Sequence, residues 1–273
     1  MALPKHSTTG VIESGQPQAN LSFTDCHCAL GTWTVPGWRV FERAGDLLAE
    51  MDARGIAEAL VHHATAKECD MDAGNAEILR QVAGAERLHA AVVVAPQDLG
   101  GSSEASRIGA LVHEGAKAAW MFPGLHRFAF KPWMIEGIAQ HLAHHRLPLF
   151  VDFGNKHWMD RLTDWAGVDQ VCSAFPEIPI VLVREGLGST RMLLSLMERH
   201  ANFHLELSYF QPNDGVGELA RRFGAQHLLF GSGMPVYDPG PPMSLVAYAG
   251  LDRAGRQLVA GDNLNTLLKR VKA

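Results

Sequence analysis

Residues 178–184, IPIVLVR, contain no charged side chain before Arg184 and are apolar at consecutive positions. A strand that is apolar on both faces is typical of a buried parallel sheet. The following segment, residues 190–200, has the sequence TRMLLSLMERH, in which apolar residues recur at helical spacing. Together the two segments predict one strand–helix unit of an α/β protein.

The same alternation continues in both directions from this unit. The predicted strands are Leu21–His27, Ile56–His63, Leu88–Ala95, Ala116–Phe122, Pro148–Phe153, Ile178–Arg184, Asn202–Ser208 and Gln226–Ser232. The predicted helices are Phe41–Arg54, Ala73–Gly84, Ser103–Glu114, Pro132–His145, Trp158–Phe175, Thr190–His200, Gly215–Phe223 and a terminal group. A doubly wound sheet also alternates in this way, but eight units fit a closed (β/α)8 barrel better. We therefore expect a single α/β domain, a TIM-type barrel over residues 21–273, with an N-terminal arm at residues 1–20.

Composition excludes several classes of function. The net charge is −5 and no basic tract is present, so we expect no nucleic-acid partner and no binding to an anionic membrane surface. No apolar stretch reaches the length of a membrane-spanning helix, and residues 1–20 lack the apolar run of a secretion signal. The four cysteines are expected to be reduced thiols, and the expected location is the cytoplasm.

The predicted strand ends carry many titratable side chains. In a TIM barrel the chemistry lies where strands end and the following loops begin. The candidate site residues at these positions are Asp25, His27, His63, Trp120, Asp152, Arg184, Glu206 and Ser232. This concentration is the main functional signal in the sequence.

Short motifs occur in a characteristic order beside these strand ends. They are Asp25-Cys26-His27, Gly55-Ile56, Gly74-Asn75, Ala95-Pro96-Gln97, Phe122-Pro123, Leu147-Pro148 and Gly231-Ser232 followed by Pro235. The ordered series, spread over residues 21–270, resembles the amidohydrolase-related family, in the branch that holds aromatic-acid decarboxylases and lactonases. The resemblance implies the barrel fold and a hydrolase or lyase activity.

The resemblance also implies a set of metal-ligand positions, most of which are substituted in this chain. The family places a His-x-His pair on the first strand, histidines on the fifth and sixth strands, and an aspartate on the eighth. Here His27 matches the first histidine, and the other positions hold Ala29, Asp152, Arg184 and Gly233. We therefore expect no metal and no other cofactor. A different metal site, from His27, Asp152 and one histidine of the His62–His63 pair, stays open, although Arg184 would repel the cation.

Strands five and six are neighbours, so Asp152 and Arg184 are expected to form an ion pair at the barrel mouth. The pair either fills the space of a lost metal without further chemistry, or its guanidinium serves as a fixed positive charge for a substrate carboxylate or an oxyanion. His27 is the candidate general acid or base, since its reference pKa lies near neutrality. Asp25, two residues earlier on the strand, is expected on the same face as His27.

The catalytic candidates are thus His27, Arg184 and Asp152, with Asp25, His63, Trp120, Glu206 and Ser232 as candidate substrate contacts. The first hypothesis is a metal-independent hydrolase, similar to a lactonase, or a lyase, whose partner is a small carboxylate or lactone. The alternative is a catalytically inactive barrel that binds a ligand or a partner protein. A third hypothesis is an enzyme with an unrecognised metal arrangement. Assembly into a homo-oligomer is left open.

Overall fold

A computed structural model describes residues 21–34, 37–96, 104–154 and 163–273. Within these residues, eight parallel strands form one sheet in the sequential order β1 to β8. The strands are β1 (Phe23–Leu30), β2 (Ile56–His63), β3 (Leu88–Val93), β4 (Ala116–Met121), β5 (Leu149–Val151), β6 (Ile180–Leu182), β7 (Phe203–Glu206) and β8 (Leu228–Leu229). The predicted single (β/α)8 barrel is confirmed.

The first and last strands close the barrel through backbone hydrogen bonds. Cys26 N–H donates to the carbonyl of Phe230 at 3.0 Å, and Gly233 N–H donates to the carbonyl of His27 at 2.9 Å. Two residues after His27 on β1, Ala29 N–H donates to the carbonyl of Met234 at 2.9 Å. These bonds bring the end of β1 against the loop that follows β8, so His27 and Gly233 lie at one junction.

Helices connect the strands and cover the outside of the barrel. They are α1 (Ala44–Arg54), α2 (Ala64–Glu68), α3 (Met71–Val82), α4 (Glu104–His113), α5 (Pro123–His126), α6 (Pro132–His145), α7 (Trp165–Ala174), α8 (Thr190–Arg199), α9 (Gly215–Phe223), α10 (Gly240–Ala247), α11 (Arg253–Gln257) and α12 (Asn263–Lys269). Short 3-10 turns cover Leu187–Ser189 and Ala225–His227, and a π-helical turn covers Leu258–Asp262. No helix in the described ranges is long and apolar enough to cross a membrane.

Local sequence explains where several helices begin and end. Gly55 ends α1 in the left-handed conformation, at φ 71°, which a residue without Cβ adopts at little cost, and the chain passes directly into β2. The side chains of Asp70 and Asp164 accept backbone N–H groups at the starts of α3 and α7. Helix α7 is shorter than the predicted Trp158–Phe175, and residues 155–162 lie outside the described residues, as does the predicted arm at residues 1–20.

Two apolar layers stabilise the barrel. The outer layer packs the strands against the surrounding helices. The inner layer fills the barrel and includes Cys26, Leu60, Val93, Trp120, Phe150, Val181 and Leu229. Because alternate strand residues enter different layers, burial on both faces follows directly from the apolar runs in the sequence.

Strand β1 departs from regular alternation at the point that matters for the site. Asp25 pairs with Ala59 of β2, and Cys28 pairs with Val61, so β1 contains one residue more than β2 between the two pairs. Cys26 lies in the inner layer, Cys28 lies in the outer layer, and the His27 ring contacts Trp120 inside the barrel. Asp25 directly precedes the inward-facing Cys26, so by alternation it faces the other side of the strand, whereas His27 faces inward. The expectation that Asp25 shares a face with His27 is therefore wrong, because the extra residue interrupts the alternation.

Candidate functional site

The site lies at the carboxyl end of the barrel, where six strand ends place polar or aromatic side chains on the inner side. The side chains are His27 of β1, His62 of β2, Trp120 of β4, Asp152 after β5, Arg184 after β6 and Glu206 of β7. All six are buried or nearly so. Five of these residues were predicted as catalytic or substrate-contact candidates, whereas His62 was predicted only as one possible ligand of an alternative metal site.

Asp152 and Arg184 form the predicted ion pair. The Nη2 atom of Arg184 donates to both carboxylate oxygens of Asp152, at 2.8 and 2.7 Å, and the Asp152 side chain is only 1% exposed. Burial alone would raise the pKa of Asp152, but the positive charges of Arg184 and Lys67 bring it below its ordinary value. Burial likewise opposes the charge on Arg184, and Asp152 raises the pKa of the guanidinium above its ordinary value. Both groups are therefore ionised, and each compensates the other.

The backbone of Arg184 is unusual for a non-glycine residue. Strand β6 ends at Leu182, and Arg184 has φ 58°, in the left-handed region. Its N–H donates to Oε2 of Glu206 at 2.9 Å, which holds this conformation in place. Backbone strain of this kind concentrates at functional sites and persists where surrounding contacts impose it.

Glu206 is fully buried and makes several hydrogen bonds. Besides Arg184 N–H, it accepts the N–H of Ser208 at 2.7 Å and the Ser208 hydroxyl at 2.9 Å. Oε2 lies 3.7 Å from Nδ1 of His27, an ion-pair distance that is too long for a hydrogen bond. Burial would raise the pKa of Glu206, but His27 and these donors lower it below its ordinary value. A Cβ on Gly231 would lie 2.3 Å from Oε1, so the absence of a side chain there makes room for the carboxylate.

Asp25 and Ser232 hold the backbone at the β1–β8 junction. Oδ1 of Asp25 accepts the N–H groups of His27 and Ser232, each at 2.9 Å, and the Ser232 hydroxyl accepts Met234 N–H at 3.0 Å. Burial raises the pKa of Asp25 despite these bonds. The structure therefore does not bring these two expected substrate contacts into the inner cluster. Their position suits them to orienting His27 through its backbone.

His62 and His63 point to opposite sides of β2, as their adjacency predicts. His63, the expected substrate contact, accepts Thr65 N–H through Nδ1 at 3.2 Å at the start of α2 and lies against Gly31. Burial lowers its pKa. The ring of His62 instead contacts Trp120 inside the barrel, at 4.8 Å between ring centroids. The structure thus places His62 in the cluster and His63 outside it.

Trp120 supports both imidazoles of the cluster. Its ring centroid lies 5.0 Å from that of His27 and 4.8 Å from that of His62. Phe150 stacks on the Trp120 ring at a centroid distance of 5.3 Å, and the exposed fraction of Trp120 is 1%. Trp120 is therefore placed to fix the two histidines relative to each other.

Lys67 of α2 is a second cation near the cluster. Its Nζ lies 4.8 Å from the ring centroids of both Trp33 and Phe122. Its charge also lowers the pKa of Asp152 and of His62. Lys67 lines a hollow of about 370 Å³ formed by residues 66–72 and His126. A single lysine in a short helix has no distinguishing sequence signal, so sequence analysis could not have found it.

Several buried nitrogens in the cluster have no hydrogen-bond partner. They are Nδ1 of His27, both ring nitrogens of His62, Nε1 of Trp120 and Nε of Arg184. A buried polar group without a partner costs about 1–3 kcal/mol, and each such group in a native fold calls for an explanation. These unpartnered nitrogens are concentrated at the carboxyl end of the barrel, on four side chains of the one cluster.

The side chains do not fit the divalent metal that the family resemblance implies. Among the described residues, no group of three or more His, Cys, Asp or Glu side chains is arranged to hold a metal ion. Both oxygens of Asp152 already accept from the Arg184 guanidinium. A cation at this place would meet a fixed positive charge instead of a ligand.

Solved structures share the fold at low sequence identity. An uncharacterized TIM-barrel protein from Bordetella bronchiseptica has a TM-score of 0.71 at 12% identity, over 92% of this chain and 99% of that one. For 5-carboxyvanillate decarboxylase from Sphingomonas paucimobilis the TM-score is 0.70 at 14% identity, over 92% and 100%. For a probable 2-pyrone-4,6-dicarboxylic acid hydrolase from Acinetobacter baumannii, with citric acid bound, it is 0.65 at 12% identity, over 91% and 100%.

No protein-family model matches the sequence, and no curated protein is significantly similar to it. The structural neighbours nevertheless include a decarboxylase of an aromatic acid and a probable pyrone hydrolase, the two kinds of enzyme in the branch that the sequence resembles. The expected resemblance is confirmed at the level of the fold.

Proposed function

We propose that the protein is a metal-independent enzyme that takes a small carboxylate or lactone at the barrel mouth and acts as a lyase or a hydrolase. The observation that carries this proposal is the concentration of unpartnered buried nitrogens around the Asp152–Arg184 and His27–Glu206 pairs. The neighbours' substrates, an aromatic carboxylate and a pyrone dicarboxylate, are of the same chemical class.

Arg184 binds the anionic group of the substrate. Its Nη2 is occupied by Asp152, whereas its Nε has no partner in the protein. A guanidinium stays protonated and offers donors in a fixed planar arrangement, which suits a carboxylate or a developing oxyanion. Asp152 orients the guanidinium by holding one nitrogen from both oxygens.

His27 transfers the proton that either reaction requires. Decarboxylation breaks the bond to the carboxyl carbon, releases CO2 and leaves a carbanion that takes a proton. In lactone hydrolysis water adds to the carbonyl carbon, the ring C–O bond breaks, and the alkoxide that leaves takes a proton. Glu206, 3.7 Å from Nδ1, compensates the positive charge of the imidazolium form. Asp25 and Trp120 position the imidazole, the first through the His27 N–H and the second through its ring.

A second candidate is a catalytically inactive barrel that binds a ligand or a partner protein. The observation that favours it is that both oxygens of Asp152 accept from Nη2 of Arg184, so the two charges are already balanced without a substrate. Exposed apolar side chains also lie in the loops after the sixth, seventh and eighth strands, at Leu187, Tyr209 and Val236. In this candidate the cluster binds and the proton transfer is absent.

The test begins with protein dialysed against EDTA and checked for Zn, Mn, Fe and Ni by elemental analysis. Thermal shifts are recorded with 5-carboxyvanillate, 2-pyrone-4,6-dicarboxylate, citrate and benzoate, and each binder is assayed for CO2 release or ring opening. We expect binding and turnover in the wild type, and His27→Gln to retain binding while turnover falls roughly 10²–10⁴-fold. His113→Gln, on an exposed helix position, is the control.

Two outcomes would decide against the proposal. Binding without turnover above buffer supports the inactive barrel. A stoichiometric metal that survives dialysis, with activity that depends on it, supports the third hypothesis of an unrecognised metal arrangement.

A further inference from the structure

His62 is the member of the cluster to which the proposed chemistry assigns no task. Its ring is 2% exposed and is enclosed by aromatic rings, with centroid distances of 4.8 Å to Trp120, 5.7 Å to Phe122 and 6.3 Å to Trp33. Neither ring nitrogen has a hydrogen-bond partner. An apolar side chain of similar shape would fill this space without leaving buried nitrogens unpaired.

The charges around His62 differ from those around His27. Burial lowers the pKa of His62 well below its ordinary value; the positive charges of Lys67, His27 and Arg184 add to this effect, and the Asp152 carboxylate opposes it. His27 instead has the Glu206 carboxylate beside it.

We propose that His62 is a substrate-contacting residue that donates a hydrogen bond, as a neutral imidazole, to an oxygen of the bound carboxylate or lactone. This assignment rests on the proposed function and names a second contact at the same site. A neutral imidazole has one N–H donor. A donor of this kind stabilises negative charge that develops on the oxygen and keeps its own proton.

His62 lies close to His27, the proposed proton carrier. The two ring centroids are 6.4 Å apart, and both rings rest on Trp120. The two imidazoles are therefore close enough for one small carboxylate or lactone to contact both.

Replacing His62 with phenylalanine distinguishes a packing role from a role in ligand binding. If His62 only filled space, replacing it with phenylalanine would leave ligand binding unchanged. If it is kept for the ligand, His62→Phe removes two unpaired buried nitrogens and raises the melting temperature while weakening binding. A gain in stability with a loss of function is the signature of a residue held at a functional site.

The experiment compares wild type, His62→Phe, His62→Gln and the control His113→Gln, with benzoate as the probe in calorimetric titrations. We expect His62→Phe to melt about 2–4 °C higher, a shift typical of this size of protein, and to bind benzoate at least ~10-fold more weakly. His62→Gln restores an N–H donor, so its affinity should return to within about threefold of wild type. Histidine ring ¹⁵N signals of wild type should show a neutral His62 whose N–H resonance moves when benzoate is added.

The outcomes separate the two proposals. Wild-type binding that His62→Phe retains, or a His62 N–H resonance that ignores benzoate, contradicts the assignment of His62 and leaves the proposed function standing. Wild type that binds neither benzoate nor the other acids contradicts the proposed function, and the assignment falls with it. If His62→Phe does not fold, the ¹⁵N titration of the wild type decides.

Discussion

Arg184 and Asp152 are joined through a single guanidinium nitrogen, since Nη2 of Arg184 donates to Oδ1 at 2.8 Å and to Oδ2 at 2.7 Å. This one-nitrogen geometry differs from the side-on pairing in which two guanidinium nitrogens bind one carboxylate. It holds the guanidinium firmly and leaves Nε, which has no partner, for another acceptor. In the proposed function the guanidinium is divided in this way between the protein and a ligand.

The ion pair should be costly to break from one side and cheap to replace entirely. Arg184→Met leaves a buried carboxylate without a counter-charge, which should lower the free energy of unfolding by about 3–5 kcal/mol. Combining it with Asp152→Leu removes both charges and should recover most of this loss. Urea unfolding of the two single variants and the double variant measures the coupling. Losses that simply add would show that the two charges do not interact.

Acid should destabilise the fold through His204 of β7. Burial lowers the pKa of His204 to about 3, with His227 and Arg270 adding to the effect. Between the ordinary histidine value near 6.5 and pH 3, the unfolded chain binds a proton that the folded chain does not. The stabilisation from neutral His204 is thus complete above pH 6.5 and is lost as pH falls towards 3.

Unfolding of His204→Gln at pH 4, 5 and 6 tests the contribution of His204 to the pH dependence of stability. Its free energy of unfolding should fall less steeply with acid than that of wild type, by up to about 1.4 kcal/mol per pH unit. The exposed His113→Gln should follow wild type. Identical slopes for His204→Gln and wild type would contradict the assignment.

The position of Glu206 should depend on the missing side chain at Gly231. A Cβ there would lie 2.3 Å from Oε1, and Glu206 is held by Ser208 and the Arg184 N–H, so Gly231→Ala should destabilise by roughly 1–3 kcal/mol. It should also weaken carboxylate binding, because displacing Glu206 releases the Arg184 backbone.

Gly45→Ala is the matched control for Gly231→Ala. A Cβ at Gly45, inside α1, meets nothing within 4 Å, and alanine is the better helix former by about 1 kcal/mol. It should stabilise the protein and leave binding unchanged. Thermal unfolding and benzoate titration of both variants give the comparison, and a harmless Gly231→Ala would show that Glu206 has room to move.

The barrel and much of its site follow from the sequence because the carboxyl ends of parallel strands meet at one end of a barrel. Asp152 and Arg184 follow neighbouring strands in sequence order, so their pairing could be predicted without coordinates. The same rule placed His27 and Glu206 near them.

Details that depend on local backbone irregularity could not be predicted. Asp25 was expected on the same face of the strand as His27, but the extra residue in β1 changes which side chains face inward. Which of His62 and His63 faces inward could not be decided either, because β2 is largely buried on both faces and its pattern has no polar side. Lys67 reaches the cluster from a short helix through packing that leaves no periodic signal.

The most direct test of a metal-free carboxylate site at Arg184 is calorimetric titration of the acid that gives the largest thermal shift, before and after dialysis against EDTA. We expect the wild-type Kd to be unchanged by dialysis and the Kd of Arg184→Lys to be at least ~10-fold weaker, because an ammonium cannot reproduce a guanidinium that is shared between Asp152 and a ligand. Binding that disappears on dialysis and returns with Mn²⁺, or that Arg184→Lys retains in full, would contradict the account.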